Sequence, residues 1–255
     1  MGDSGSAGWS PPFDRDLPLP QWFRAIADAA LSPGHLDREQ APRVAGRAAW
    51  VQSGAMGLIE DIRACRLCAP RFAATATGHA PRPVVWFRPG ARLLIAGQAP
   101  GLRVHDSGRP FTDRSGDRLR DWMGVTETEF YDLSRVAIVP MAFCFPGYDA
   151  KGADLPPPPI CAATWRAKVM SDLGKVPLTL LVGGAAIRWH LGLRDVTATV
   201  ADWRSHAPLG VFPLPHPSWR NTGWLKRNPW FEADLLTALR AQVRKVMDDR
   251  DRDPS

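Results

Sequence analysis

The sequence predicts an α/β protein, a three-layer α/β/α sandwich with a central four-stranded parallel sheet. Three observations carry that expectation. Four short apolar runs rich in branched residues stand at 92–96, 136–143, 178–182 and 211–214, near-continuous as strands covered on both faces should be. Helical patterns separate them at 116–123, 162–173 and 185–191, and an amphipathic pattern at 234–247 closes the chain. The residues with unusual chemistry follow the strands: a glycine-rich turn after the first, a cysteine after the second and a histidine after the fourth. A parallel sheet binds ligands beyond the carboxyl ends of its strands, so these residues should share one end of it.

Taken in order, residues 1–52 begin MGDSGSAGWSPPFDRDLPLP, dense in breakers and without a sustained apolar period. They read as an N-terminal extension, partly disordered, with one helix expected over 21–31 and Met56 as a candidate alternative start. A single domain is expected over 53–247, because 255 residues that are 45% hydrophobic suit one sizeable core. Its strands read ARLLIA, VAIVPMAF, LTLLV and VFPL. Residues 248–255 form a charged tail, and no internal repeat is visible.

A formal charge of +6 and a sequence pI near 9.5 point to an anionic partner, nucleic acid first. No run reaches the roughly 18 apolar residues of a membrane span, and the N-terminus lacks a basic-then-apolar signal. A cytoplasmic protein is expected, monomeric and without a membrane partner. The four cysteines are then better candidates for metal ligands than for disulfides.

After the first strand comes Gly97-Gln98-Ala99-Pro100-Gly101, a turn whose glycines let backbone N–H groups approach a ligand. It can equally be a tight connection without a ligand. Ser107-Gly108-Arg109-Pro110-Phe111 follows, setting an aromatic ring within reach of the same strand end, where a planar base would stack on it. After the fourth strand the chain reads Pro215-His216-Pro217-Ser218. Flanking prolines restrict the histidine's backbone, which suits a group that must be aimed.

These motifs, GQAPG with SGRPF and then HPS, resemble those of the uracil-DNA glycosylases, closest to the iron–sulfur family 4 and 5 enzymes. The resemblance covers approximately residues 56–245 and implies a uracil-DNA glycosylase-like fold acting on uracil-containing DNA. It implies a monofunctional enzyme of base excision repair, which flips uracil out of DNA and hydrolyses its N-glycosidic bond to leave an abasic site. By the same match the turn binds the pyrimidine O2 and places water, Phe111 stacks on the base, and His216 donates a hydrogen bond to O2 as negative charge grows there.

Two positions depart from the family pattern. The classical branch has an aspartate third in the first motif, where this chain has Ala99. Gln98 and His105 are the favoured candidates to orient the attacking water, with Asp106 and Asp113 also in reach of the sugar. Related enzymes carry an asparagine on the second strand that reads the uracil edge, where this chain has Pro140. Backbone groups near Met141 and Phe143 are expected to read the base instead. These departures motivate an alternative, a protein of the same fold that binds uracil or abasic DNA with little turnover.

Beyond His216 aromatic and basic residues alternate as a glycosylase needs for wedging into a base stack and gripping phosphates. Trp219 is the expected wedge; Ser218, Arg220, Asn221, Lys226 and Arg227 are the expected DNA contacts, while Trp224, Trp230 and Phe231 are expected in the core. Cys65 and Cys68 precede the first strand in C-R-L-C, and Cys144 and Cys161 flank a proline-rich span after the second. By resemblance they are the ligands of a [4Fe–4S] cluster, with a structural zinc as the alternative. The cluster would tie the N-terminal segment and the prolines at 156–159 to the sheet.

Overall fold

The computed structural model describes residues 55–248; the expectations for residues 1–52, including a helix over 21–31, and for the tail beyond 248 lie outside the described residues. Four strands, β1 (Leu93–Ala96), β2 (Val136–Ile138), β3 (Leu178–Val182) and β4 (Val211–Leu214), form one all-parallel sheet in the order β2-β1-β3-β4. Every strand residue is buried, which explains why their sequences are apolar runs rather than alternations. The register sets Leu93 beside both Val136 and Leu178, and Leu180 beside both Ile95 and Phe212. Pro213 is tolerated because β4 is an edge strand, where a missing N–H interrupts no second ladder.

The helices run in order α1 (Ala55–Ala64), α2 (Ala69–Ala73), α3 (Leu102–Ser107), α4 (Arg114–Met123), α5 (Glu127–Phe130), α6 (Pro159–Leu173), α7 (Gly184–Leu191), α8 (Val196–Ala201), α9 (Trp203–His206), α10 (Thr222–Arg227) and α11 (Leu236–Asp248). On one face of the sheet Ile62 of α1 and Trp165, Val169 and Leu173 of α6 pack with Leu94 and Ala137. On the other, α11 packs against β1, β3 and α4, burying Leu239, Val243, Leu119 and Met123. This is the three-layer α/β/α fold expected from the sequence. Fully burying each such side chain contributes roughly 1.5–3 kcal/mol, so the sheet and its two covers form one core.

Two boundaries differ from expectation by more than two residues. β2 ends at Ile138 rather than at residue 143, and Pro140 has no N–H to extend the outer-side pairing in which Ile138 N donates to Trp86 O. The backbone still follows the extension of β1, through hydrogen bonds from Val139 N to Ile95 O and from Met141 N to Gly97 O. α6 begins at Pro159, since proline is preorganised for a first helical turn. A π-helical turn, Phe231–Leu235, precedes α11. Among the described residues no helix is long and apolar enough to cross a membrane.

β1 is central, and the chain leaves it for β2 on one side before returning to β3 on the other. A crevice at the carboxyl end of such a sheet is the natural ligand position.

Candidate active site

The carboxyl ends of the strands open on a cavity that, together with the solvent-open space at its mouth, measures roughly 840 Å³. Gly97, Gln98, Ala99, Pro100 and Gly101 line it from the end of β1, Phe111 from the segment before α4, and His216 from the end of β4. The backbone N–H groups of Gln98, Ala99 and Gly101 donate to no acceptor among the described residues. The turn is nevertheless fixed, because the carbonyls of Gly97 and Gln98 accept from Met141 N at 2.9 Å and Ala142 N at 3.2 Å.

Phe111 is held in an unusual backbone conformation. Its φ of 55° is the only positive value at a non-glycine position among the described residues, a conformation that costs an L-residue about 1–2 kcal/mol. The surroundings enforce it: Tyr131 Oη donates to the carbonyls of Pro110 at 2.7 Å and Phe111 at 3.1 Å, and Arg120 Nη1 donates to that of Phe111 at 3.3 Å. The ring meets Phe130 edge-on at 5.9 Å. Its tip lies 3.7 Å from where a side chain on Gly97 would begin, in ordinary contact range of the turn.

His216 is aimed from below. Asn221 Nδ2 donates to its carbonyl at 2.7 Å, and Gly183, at φ +83°, leaves only van der Waals room beside its Cβ. The imidazole makes no hydrogen bond among the described residues. Burial lowers its pKa from the usual value, and the negative charges of Asp113 and Asp154 pull the other way. The ring is therefore neutral near pH 7 and still presents an N–H.

Both of those carboxylates line the cavity. Asp113 caps α4, its Oδ1 accepting from Gly116 N at 3.3 Å and from Ser115 Oγ at 2.6 Å, while Oδ2 has no partner among the described residues. The sequence already placed Asp113 among the groups in reach of the sugar. Nothing in the sequence marks Asp154, which arrives on the loop between Cys144 and Cys161.

His105, Met141 and Phe143 do not line this cavity. His105 lies in α3 with its ring near His79 and Phe145, at 5.2 and 6.0 Å, and burial, then His79, lowers its pKa. Met141 N is spent on Gly97 O and Phe143 N on Cys161 Sγ at 3.5 Å. These two N–H groups are engaged within the protein and leave no donor for a base. The structure thus places His105, expected to orient water, and Met141 and Phe143, expected to offer backbone groups to the base, outside the residues that line this cavity.

The loop after His216 is pinned from α4. Arg118 Nη1 donates to Ser218 O at 2.9 Å and its Nη2 to Thr222 Oγ1 at 3.3 Å, a contact that sequence reading missed. Trp219 is 72% exposed, with Arg220 beside it at 5.8 Å from the ring centre. Ser218 Oγ accepts from Arg220 N, and Arg220, Lys226 and Arg227 are exposed. Phe231 is fully buried, whereas Trp224 and Trp230 are half-buried, Trp224 donating from Nε1 to Thr197 Oγ1.

Cys65, Cys68, Cys144 and Cys161 line a second, smaller cavity with Phe72, Phe143 and Trp165 among its walls. Burial, and then the proximity of the other three cysteines, pushes the Cys144 thiol up to about 12; burial above all pushes Cys161 up to about 11. The donor set, four soft sulfurs in an apolar pocket, fits a thiolate-bound metal group. Among the described residues no three or more His, Cys, Asp or Glu side chains are arranged to hold a single metal ion.

A protein-family model, the Uracil DNA glycosylase superfamily, matches residues 84–240. The match takes in the turn after β1, Phe111, Asp113, Asp154 and His216, together with Cys144 and Cys161, and leaves Cys65 and Cys68 before its start.

Proposed function

The chain belongs to the uracil DNA glycosylase superfamily, and on that premise we propose that it is a monofunctional DNA glycosylase of the iron–sulfur type that removes uracil from DNA. The observation that carries the reading is one cavity. An aromatic ring, a neutral imidazole and a half-satisfied carboxylate face it together, in Phe111, His216 and Asp113.

In the reaction the bond between the base nitrogen and the sugar's anomeric carbon breaks, its electron pair leaving with the base. Phe111 stacks on the flipped ring. His216 donates its N–H to the pyrimidine O2 as negative charge collects there; such a donor in a dry pocket is worth about 3–4 kcal/mol. Asp113 Oδ2 accepts a hydrogen bond from the water that attacks the anomeric carbon and takes its proton, while Gln98 helps to fix that water. The water's hydroxyl remains on the sugar, its proton ends on the base, and an abasic site results. Base removal in this reading uses no Schiff base and no strand cleavage, in keeping with the absence of lysine among the described residues that line the cavity.

Flipping costs a few kcal/mol. Trp219 fills the space the base vacates, and Arg220, Lys226 and Arg227 grip phosphates. Asn221 and Ser218 hold the loop that carries them, as their hydrogen bonds to His216 O and Arg220 N suggest.

Cys65, Cys68, Cys144 and Cys161 would hold a [4Fe–4S] cluster, or a structural zinc in the alternative. When bound it would supply cross-linking, tying α1, the end of β2 and the start of α6 together, rather than electrons for base removal.

The test is a labelled duplex bearing one uracil, incubated with protein analysed for iron and zinc. Alkali-dependent strand scission, without a borohydride-trapped adduct, and with about four iron atoms per chain supports the full reading. Tight binding of the same duplex without scission would favour the alternative of a binding protein, the reading that Ala99 and Pro140 motivate.

A further inference from the structure

The reading above leaves the base edge without a partner, since Pro140 has no side-chain donor or acceptor. Asp154 stands in the wall of the same cavity as Phe111 and His216. Its carboxylate makes no hydrogen bond or ion pair among the described residues, and its charge is felt by His216.

The loop that presents it is firmly built. Asp149 Oδ1 accepts from Lys151 N at 2.8 Å and Ala153 N at 2.9 Å, and Leu155 N donates to Gly147 O at 2.9 Å. Tyr148 and Asp154 form an isolated antiparallel bridge. Gly147, at φ +94°, lies so close to Thr75 that a Cβ would meet it at 2.8 Å. A side chain mounted on so closed a turn is preorganised to select.

We propose that Asp154 is the specificity-determining residue of this glycosylase, its carboxylate accepting the ring N–H of the flipped base. The inference rests on the glycosylase reading and names the substrate class: bases with a protonated ring nitrogen beside a carbonyl, such as uracil (N3–H) and hypoxanthine (N1–H). A carboxylate only accepts. It repels the lone pair on N3 of cytosine, so that base is rejected, whereas thymine and guanine carry the same ring N–H and must be excluded by the shape of the cavity. The hydrogen bond forms as the base is flipped and is kept through bond cleavage, so Asp154 acts in binding and choice, not in rate.

The experiment measures kcat and KM on duplexes carrying a single uracil, hypoxanthine or cytosine, for wild type, Asp154→Ala and Asp154→Asn, with thermal melts showing that each is folded. Wild type is expected to release uracil and hypoxanthine but not cytosine. Asp154→Ala raises KM for both substrates at least tenfold with kcat nearly unchanged. Asp154→Asn, whose amide can accept or donate, keeps uracil release within about threefold and begins to release cytosine. Unchanged KM and base ranking in Asp154→Ala would overturn the assignment, as would a loss of kcat alone with the ranking intact. Release of none of the bases by wild type would overturn the glycosylase reading itself, an outcome distinct from either.

Discussion

A methyl group on Gly116 would stand 1.9 Å from the carbonyl oxygen of Phe111. The left-handed turn at Phe111 therefore exists because the third residue of α4 has no side chain, and the carbonyl occupies that space. Backbone cannot yield as a flexible side chain does, so Gly116→Ala must displace Phe111 and its ring from the cavity. The expected result is a loss of at least tenfold in kcat/KM for uracil release with a lowered melting temperature. A variant with wild-type kinetics would show that the ring's position is unimportant.

Asp113 and His105 are separated by the geometry. The carboxylate lines the cavity beside His216, while the imidazole of His105 sits among His79 and Phe145. A positioned base contributes roughly 10²–10⁴-fold, and Asp113→Asn, which keeps the shape of the cap, should cost that much in single-turnover rate. His105→Ala should remain within about fivefold of wild type on the same scale. The reverse ranking would return water activation to α3.

Salt dependence reads the loop beyond His216. Each phosphate contact neutralised adds close to one to the slope of log K against log salt. Removing Arg220, Lys226 and Arg227 together should flatten that slope by roughly two to three, whereas Trp219→Ala should leave it unchanged and weaken binding of flipped-base duplexes. An unaltered slope in the triple variant would place the DNA on another face.

Stability should fall on mild acidification. His190 is held well below its ordinary pKa by burial and then by Arg166, and burial also lowers His105, His206 and His216. In each case the unfolded chain binds the proton more readily, so stability is complete above about pH 6.5 and declines as pH falls toward the folded values. Glu129, held near 2 chiefly by its hydrogen bond from Arg244, adds a second loss below about pH 4.5. Urea midpoints measured from pH 8 to pH 4 test this; a constant midpoint between pH 7 and pH 5 would contradict it.

The sheet was legible because buried parallel strands leave continuous apolar runs, as LTLLV and VFPL do. α4, α6, α7 and α11 were legible from their period, whereas α1 was not. α3, α5, α8, α9 and α10 were not, because helices of four to six residues show no repeat over several turns, and of these only α5 and α8 carry side-chain caps, at Thr126 and Asp195. At the site, Gly97 to Gly101, Phe111 and His216 could be read as neighbours because each follows a strand or its first turn. Asp154 and Arg118 could not, since a loop between two cysteines and a helix crossing to Ser218 bring them there from elsewhere in the chain. That Met141 N is engaged by Gly97 O and Phe143 N by Cys161 Sγ was likewise not legible, because adjacency to Pro140 says nothing of which backbone donors already have acceptors.

The most direct test of the central claim is single-turnover release of free uracil from a labelled duplex by wild type and by His216→Ala. With both proteins folded and saturating, wild type should release the base and the variant should be slower by about 10²–10³-fold with little change in duplex affinity. Equal rates would remove His216 from the chemistry, and no release by wild type on a duplex it binds tightly would contradict the account of the cavity as a site of base excision.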